Sequence, residues 1–272
     1  MDSRFSASSL QSRTITALII SAVLAAVWLI GNWLLFAFVL AVACLTMWEF
    51  YSLFLQQEKS RYLKLIGCSL GGLLMLLVWI FPNSPSHLSL LCVALIVALI
   101  SLISWKQETA RNRLSNLALI LTGIIYIPLV FAQTLHWLPV EQALVVLIPV
   151  GSDIAAYFTG ISCGKHKIWP SVSPKKSIEG AIAGLLAAVV ICCVIGWIWG
   201  AAHGLIYIVA GLFLGTLAQL GDFFESGLKR SVNVKDSGNL LPGHGGMLDR
   251  VDSILFCCAG YAILTGFHAL FV

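Results

Sequence analysis

The chain has 272 residues, of which 59% are hydrophobic and only 10% are charged. A soluble domain averages about 45–50% apolar and about 25% charged residues. This composition therefore excludes a protein whose whole surface faces water, and it predicts an integral membrane protein. The eight cysteines form no Cys-x-x-Cys pair, and most lie inside apolar runs. That pattern argues against a zinc or redox site.

Nine apolar segments are long enough to cross the hydrocarbon core, which takes about 20 residues of helix. They lie at roughly 14–31, 33–55, 63–81, 87–105, 114–135, 139–159, 179–201, 204–224 and 249–270. We therefore predict an all-α, polytopic bundle of about nine transmembrane helices that forms a single domain over residues 1–272. The motifs described below fall within about residues 150–255, which we expect to be the catalytic half.

The distribution of positive charge predicts the orientation of the bundle. All 16 Lys and Arg residues precede the first span or lie in or beside every second loop, and the alternate loops near residues 32, 84, 137 and 203 contain none. Because positively charged short loops stay in the cytoplasm, we expect a cytoplasmic N-terminus, an extracytoplasmic C-terminus and an inner-membrane location. The two longest loops, roughly 160–178 and 225–248, then face the cytoplasm, where we expect the chemistry.

Several carboxylates lie in or beside predicted spans, where an ionisable group is costly and is a candidate for function. Four of them are expected at one depth near the cytoplasmic surface: Asp153, Asp222, Asp249 and Asp252. Helical spacing places Asp222 on one stripe with Gln219, Ser226 and Lys229. For Asp153, a catalytic role and a buried ion pair both remain open. For Glu49 and Glu225 we favour pairing with a nearby lysine, such as Glu225 with Lys229.

The segment 226–252 combines cations, a glycine-rich turn and acids. Lys229, Arg230 and Lys235 offer positive charge to a polyphosphate. The turn lets backbone N–H groups approach phosphate oxygens, and it contains Pro242, Gly243, Gly245 and Gly246. Carboxylates on adjacent helices suit Mg²⁺, which binds through one or two carboxylates plus substrate phosphates. The combination predicts metal-assisted phosphoryl or nucleotidyl transfer, whereas a loop that merely rests on anionic lipid would explain the lysines alone.

The same segment resembles the signature of the phosphatidate cytidylyltransferases, also called CDP-diacylglycerol synthases. The matching positions are Ser226, Lys229, Arg230, Lys235, Asp236, Pro242, His244, Gly245, Gly246, Asp249, Arg250 and Asp252. A second element, Ser173-Pro174-Lys175-Lys176-Ser177-Ile178-Glu179-Gly180, is similar to the family's Ser-Pro-Lys-Lys-Thr-x-Glu-Gly sequence. A third element begins at Asp153 and departs from the family at Ile154, where Thr is common, and at Ile161, where a basic residue is common.

The resemblance implies that the chain converts CTP and phosphatidic acid to CDP-diacylglycerol and pyrophosphate within a lipid bilayer. It also implies a homodimer, and we expect no nucleic-acid partner. For this reaction we expect catalytic roles for Asp222, Lys229, His244, Asp249 and Arg250. Asp222 and Asp249 are expected to hold Mg²⁺, with room for a second cation. Substrate contacts are expected from Asp153, Ser173, Lys175, Lys176, Ser226, Arg230, Lys235, Asp236, Gly245, Gly246 and Asp252. For His244, orienting a phosphate and bracing the turn both remain open.

Two other functions remain open at this point. A CTP-dependent lipid kinase of the polyprenol or phytol type would transfer a phosphate and release CDP rather than pyrophosphate. An ion-coupled transporter would use Asp153 and Asp222 to bind its ion. Transporters often show repeated halves, however, and this sequence shows no repeat and crowds its motifs onto one side.

Overall fold

The computed structural model describes residues 31–55, 60–83, 86–103, 110–238, 245–267 and 269–271. Over these ranges the elements are α1 (Asn32–Phe54), α2 (Ser60–Ile80), α3 (Ser86–Ile103), α4 (Ala110–Tyr126), α5 (Pro128–Thr134), α6 (Pro139–Cys163), β1 (Lys167–Trp169), β2 (Ser173–Ser177), α7 (Ile178–Trp199), α8 (Gly204–Ser231) and α9 (Leu248–Phe267). The first predicted span lies outside the described residues, apart from its last residue.

In the described part of the chain, seven helical segments are long and apolar enough to cross a membrane. They are Trp33–Phe54, Arg61–Ile80, Ser115–Thr134, Pro139–Cys163, Ile178–Trp199, Gly204–Ser231 and Leu248–Phe267. This confirms the prediction of a polytopic helical bundle. The predicted span at 87–105 corresponds to the 18-residue helix α3, which is not among the seven. The total of nine spans and the orientation of the bundle therefore remain predictions.

The predicted helix at 114–135 is interrupted between α4 and α5. Pro128 occupies the first turn of α5, where its missing N–H costs nothing. The preceding residue, Ile127, caps this short helix, and its N–H still bonds the carbonyl of Gly123 at 3.1 Å. The chain therefore crosses as one span with a break at proline rather than as one regular helix.

Two boundaries near the predicted cytoplasmic loops differ from the prediction. Helix α8 continues to Ser231, so Ser226, Lys229 and Arg230 lie on a helix and not in a loop. Cationic side chains in the last turn stabilise this extension because they complement the negative end of the helix dipole. The predicted loop at 160–178 instead contains the antiparallel hairpin β1–β2, which is a small departure from an all-α architecture.

Two clusters of buried residues form the interior, and α9 contributes to both. The first cluster contains residues of all five helices from α1 to α5. It includes Tyr51, whose ring lies between Gly67 and Gly123 and whose hydroxyl donates to the Ile120 carbonyl at 2.9 Å. The second joins α6, α7 and α8. Helix α9 thus connects the N-terminal helices to the motif-bearing half of the chain.

Helices α8 and α9 approach each other closely at Gly221, one residue before Asp222. A Cβ atom at Gly221 would lie 2.6 Å from the backbone carbonyl oxygen of Asp252. Small residues at helix contacts allow such close approach in membrane bundles. The glycine therefore determines how near the acids of α8 lie to those of α9.

We predict that Gly221→Ala destabilises the fold by about 1–3 kcal/mol, because the added methyl group forces the two helix backbones apart. Thermal unfolding in detergent measures this loss. Gly227→Ala is the matched control on the same helix, since a Cβ there meets nothing within 4 Å. Alanine also favours the helix, so the control should unfold at or above the temperature of the unchanged protein. Equal unfolding temperatures for the two variants would contradict the proposed contact.

Candidate active site

A cleft of about 580 Å³ lies where α6 ends, α7 begins and the hairpin covers the end of the bundle. Its lining includes residues of α6, β2 and α8, which lie far apart in sequence: Asp153, Lys175, Lys176, Gln219, Asp222 and Phe223. Four of these six were predicted as site residues, namely Asp153, Lys175, Lys176 and Asp222. The fold therefore brings the second and third motifs together with the end of α8.

An ion pair between Lys176 and Asp222 crosses this cleft. The ammonium group of Lys176 also lies 4.4 Å from the ring centroid of Phe223, a distance at which a cation is attracted to the ring face. The hydroxyl of Ser226 donates to Asp222 Oδ1 at 3.4 Å, one helical turn further along α8. Both charged side chains of the pair remain about one-quarter exposed, at 26% and 27%, so a charged ligand can reach them.

The hairpin that carries Lys175 and Lys176 is fastened to the start of α7 by Glu179. The Glu179 carboxylate accepts the backbone N–H groups of Lys165 at 3.2 Å and of His166 at 3.3 Å, and it contacts His166 Nδ1 at 2.7 Å. Ser177 caps the helix by accepting the Gly180 N–H at 3.2 Å. Glutamate in the first turn also suits the positive end of the helix. The motif Ser-Ile-Glu-Gly therefore positions the two lysines at the cleft.

A second group of charges lies between the end of α8 and the start of α9. Lys229 Nζ is 2.7 Å from Asp249 Oδ1 and 2.5 Å from Glu225 Oε2. The predicted Glu225–Lys229 pair is thus confirmed. Glu225 is almost fully buried, with 1% of its side chain exposed. A lysine held by two carboxylates keeps its ammonium group in one position.

The other oxygen of Asp249 organises the loop between α8 and α9 (residues 232–247, called here the α8–α9 loop). Asp249 Oδ2 accepts the N–H and the O–H of Ser237, each at 3.0 Å, and the N–H of Gly246 at 2.8 Å. Gly245 has φ of +80°, a conformation that favours glycine. Asp249 therefore lies directly against the described end of the glycine turn, as predicted.

Asp252 interacts electrostatically with members of both groups. Asp153, Asp222 and Asp252 are close enough to interact electrostatically, and Lys229 acts on Asp252. Within the ranges that the structure describes, no group of three or more His, Cys, Asp or Glu side chains is arranged to hold a metal ion. The expectation that Asp222 and Asp249 hold Mg²⁺ therefore remains a prediction; it needs only one or two carboxylates, because phosphates complete the shell of the ion.

The remaining predicted residues divide into those at the edge of the site and those outside the description. Arg230, Lys235, Asp236 and Arg250 are exposed at this end of the bundle, and Ser173 is half-buried on β2. Arg230 donates to the carbonyl of Val234 at 3.3 Å. Three members of the glycine turn lie outside the described residues: Pro242, Gly243 and His244.

Two residues that contact the site were not among the predicted site residues, Ser237 and Glu49. Ser237 lies within the signature segment but at none of its matched positions. The carboxylate of Glu49 accepts the N–H of Leu248 at 2.8 Å and the O–H of Ser237 at 3.2 Å. Among the described residues it forms no ion pair, in contrast to the lysine partner that we favoured for it. Its position inside an apolar helix was the one signal that marked it for attention.

Comparison with known proteins identifies the family of the chain. Residues 11–268 match the model of the cytidylyltransferase family. The phosphatidate cytidylyltransferase of Bacillus subtilis strain 168 is 37% identical over 216 residues, which covers 73% of this chain and 80% of that protein. The phosphatidate cytidylyltransferases of Staphylococcus saprophyticus and Staphylococcus haemolyticus are 32% and 31% identical, each over 90% of this chain and 94% of the relative. A family model that covers nearly the whole chain confirms the resemblance seen in the motifs: the chain belongs to the cytidylyltransferase family.

Proposed function

We propose that this chain is a phosphatidate cytidylyltransferase, an enzyme of phospholipid biosynthesis that transfers the CMP group of CTP to phosphatidic acid. A phosphate oxygen of the lipid attacks the α-phosphorus of CTP, the bond from that phosphorus to the β-phosphate oxygen breaks, and pyrophosphate leaves with the bonding electrons. The observation that carries the proposal is the pairing of Lys176 with Asp222 and of Lys229 with Asp249 at one end of a family member's bundle.

The chemistry requires charge neutralisation more than proton transfer. The attacking phosphate oxygen is already ionised near neutral pH, so the barrier lies in bringing two polyanions together and stabilising the charge that develops. Lys175, Lys176 and Lys229 supply positive charge at the cleft and beside the α8–α9 loop. Because Lys176 and Lys229 are held by carboxylates, their ammonium groups are oriented before any substrate arrives, which is the condition for effective electrostatic stabilisation.

Asp222 and Asp249 are the residues that would hold Mg²⁺, whose charge neutralises phosphate oxygens when it is bound. Three protein donors occupy Asp249 Oδ2, whereas Oδ1 contacts the Lys229 ammonium group at 2.7 Å. Oδ1 is therefore the oxygen that a bound cation would share. Binding of Mg²⁺, and of a second cation beside it, remains a prediction.

The walls of the cleft suit a lipid substrate. Exposed apolar side chains of α6 and β1 line it or adjoin it, including Tyr157, Ile161, Ile168 and Trp169. We propose that the phosphatidic acid headgroup reaches the lysines while its acyl chains remain in the bilayer beside α6.

The charge distribution supports a cytoplasmic site in the cell's inner membrane, with the N-terminus inside, nine spans and the C-terminus outside. A homodimer is also part of this proposal.

The reaction is tested with the purified protein, labelled CTP and phosphatidic acid in mixed micelles containing Mg²⁺. We predict equal amounts of CDP-diacylglycerol and pyrophosphate, and no product once EDTA removes the metal, because the phosphates then keep their full charge. Release of CDP with a phosphorylated lipid would identify a lipid kinase instead. Ion flux without consumption of CTP would identify a transporter. Either result contradicts the proposal.

We predict that Asp249→Ala abolishes formation of CDP-diacylglycerol while the protein still inserts into membranes. The change removes a proposed Mg²⁺ ligand, the partner of Lys229 and the acceptor that holds the α8–α9 loop, and loss of one such electrostatic group costs about 10²–10³-fold in rate. Glu141→Ala is a matched control, since Glu141 also lies in the first turn of a helix but bonds Tyr261 and the N–H of Leu138 at the opposite end of the bundle. Normal turnover by the Asp249 variant would remove its proposed role.

A further inference from the structure

Glu49 is a buried acid in the N-terminal half that reaches the motif-bearing half. It lies near the end of α1 with 5% of its surface exposed. Its Oε2 atom accepts hydrogen bonds from two places in the α8–α9 region, Ser237 and Leu248, that are 188 and 199 residues away in sequence. Its Oε1 atom has no hydrogen-bond partner among the described residues. None of the activity motifs contains Glu49.

Two glycines of the α8–α9 loop close around this carboxylate. A Cβ atom at Gly238 would lie 2.6 Å from Glu49 Oε1, and a Cβ atom at Gly246 would lie 2.5 Å from Glu49 Oε2. Real side chains do not approach so closely, so glycine is required at both positions. The carboxylate therefore contacts the loop at Gly238 and again at Gly246, two residues before α9 begins.

The physical reason for this contact is mutual. A buried carboxylate is strongly destabilised unless hydrogen-bond donors surround it, and the first N–H groups of a helix have no acceptor within the helix. Glu49 supplies an acceptor to Leu248, the first residue of α9, and a negative charge near the positive end of that helix. Glu49 Oε2 thus finds its donors only when the α8–α9 loop is in place, and the loop gains from Glu49 an acceptor in addition to Asp249.

Ser237 links this contact to the active site. Its hydroxyl lies 3.2 Å from Glu49 Oε2 and 3.0 Å from Asp249 Oδ2, and its backbone N–H also donates to Asp249. A displacement of Ser237 therefore moves the acid that holds Lys229. We propose that Glu49 is a positioning residue that holds the α8–α9 loop at Ser237 and at the start of α9, and so sets the place of Asp249 and Lys229. The effect on turnover rests on the function proposed above.

The test compares Glu49→Ala and Glu49→Gln with Thr46→Ala in the full-length protein. Thr46 is a matched control because it is fully buried on the same helix and bonds only its own helix, at the Val42 carbonyl, in the contacts described. We expect Glu49→Ala to lower kcat about 100-fold through misplacement of the site, with a smaller change in KM. Glu49→Gln keeps one carbonyl oxygen for the Leu248 N–H and should lose less. Thr46→Ala should keep its kcat.

Hydrogen exchange followed by mass spectrometry gives a readout that needs no substrate. Amides of residues 237, 238 and 245–248 should exchange faster in Glu49→Ala than in the unchanged protein, whereas those of α7 should not change. If the unchanged protein makes no CDP-diacylglycerol, the proposed function fails, yet this measurement still tests the loop contact. Loop protection equal to that of the unchanged protein would overturn the inference whatever the activity.

A double-mutant cycle with Gly238→Ala separates positioning from general stability. The added methyl group clashes with atoms of Glu49 alone, so Gly238→Ala should be as harmful as Glu49→Ala by itself and almost harmless in the Glu49→Ala background. Such non-additivity is the mark of residues in contact. Additive losses would overturn the inference, and so would equal losses of activity and unfolding temperature in Glu49→Ala and Thr46→Ala. If Glu49→Ala does not accumulate, the same cycle is run with Glu49→Gln.

Discussion

The structure depends on how the charge of Lys229 is accommodated at the edge of the membrane. Its side chain is 12% exposed, and its ammonium group lies between Glu225 and Asp249, whose side chains are 1% and 10% exposed. Removing ions from water costs several kcal/mol each, and the cost is recovered only when the charges contact one another in good geometry. The three side chains therefore fix the last turns of α8 against the first turn of α9. The described parts of the α8–α9 loop meet the same contact, because Asp249 also accepts the N–H groups of Ser237 and Gly246.

Close approach of helices places these charges within reach of a shared substrate. Gly221 lets α8 lie against α9, while Gly180 lets α7 lie against the backbone of α6, where a Cβ atom would be 2.7 Å from the Ala156 carbonyl oxygen. Four helix ends and the hairpin thus meet on one side of the bundle. A polar site at helix ends, open to the bilayer beside α6, suits a reaction between a water-soluble nucleotide and a lipid headgroup.

Local patterns predicted the parts of this arrangement that depend on nearby residues. Apolar length located the helices, and the spacing of Asp222, Ser226 and Lys229 placed them on one stripe of α8, where Ser226 contacts Asp222. The interruption at Pro128 and the extension of α8 to Ser231 were missed because apolar length marks the extent of a membrane segment and not its hydrogen bonds. The hairpin was missed because its short strands are mostly polar and show no alternation of apolar and polar residues. The contact of Glu49 with Leu248 joins residues 199 positions apart, and a single sequence carries no signal for such a pair.

We propose that, in the substrate-bound protein, one polyphosphate lies between the Lys176–Asp222 pair and the Lys229–Asp249 pair. The most direct measurement is an experimental structure of the protein with Mg²⁺ and a CTP analogue that cannot be cleaved. We expect the triphosphate of the analogue to lie beside both lysines and against the backbone of Gly245 and Gly246, with the cation in contact with Asp222 or Asp249. A nucleotide bound elsewhere on the bundle, with both ion pairs unchanged, would contradict it.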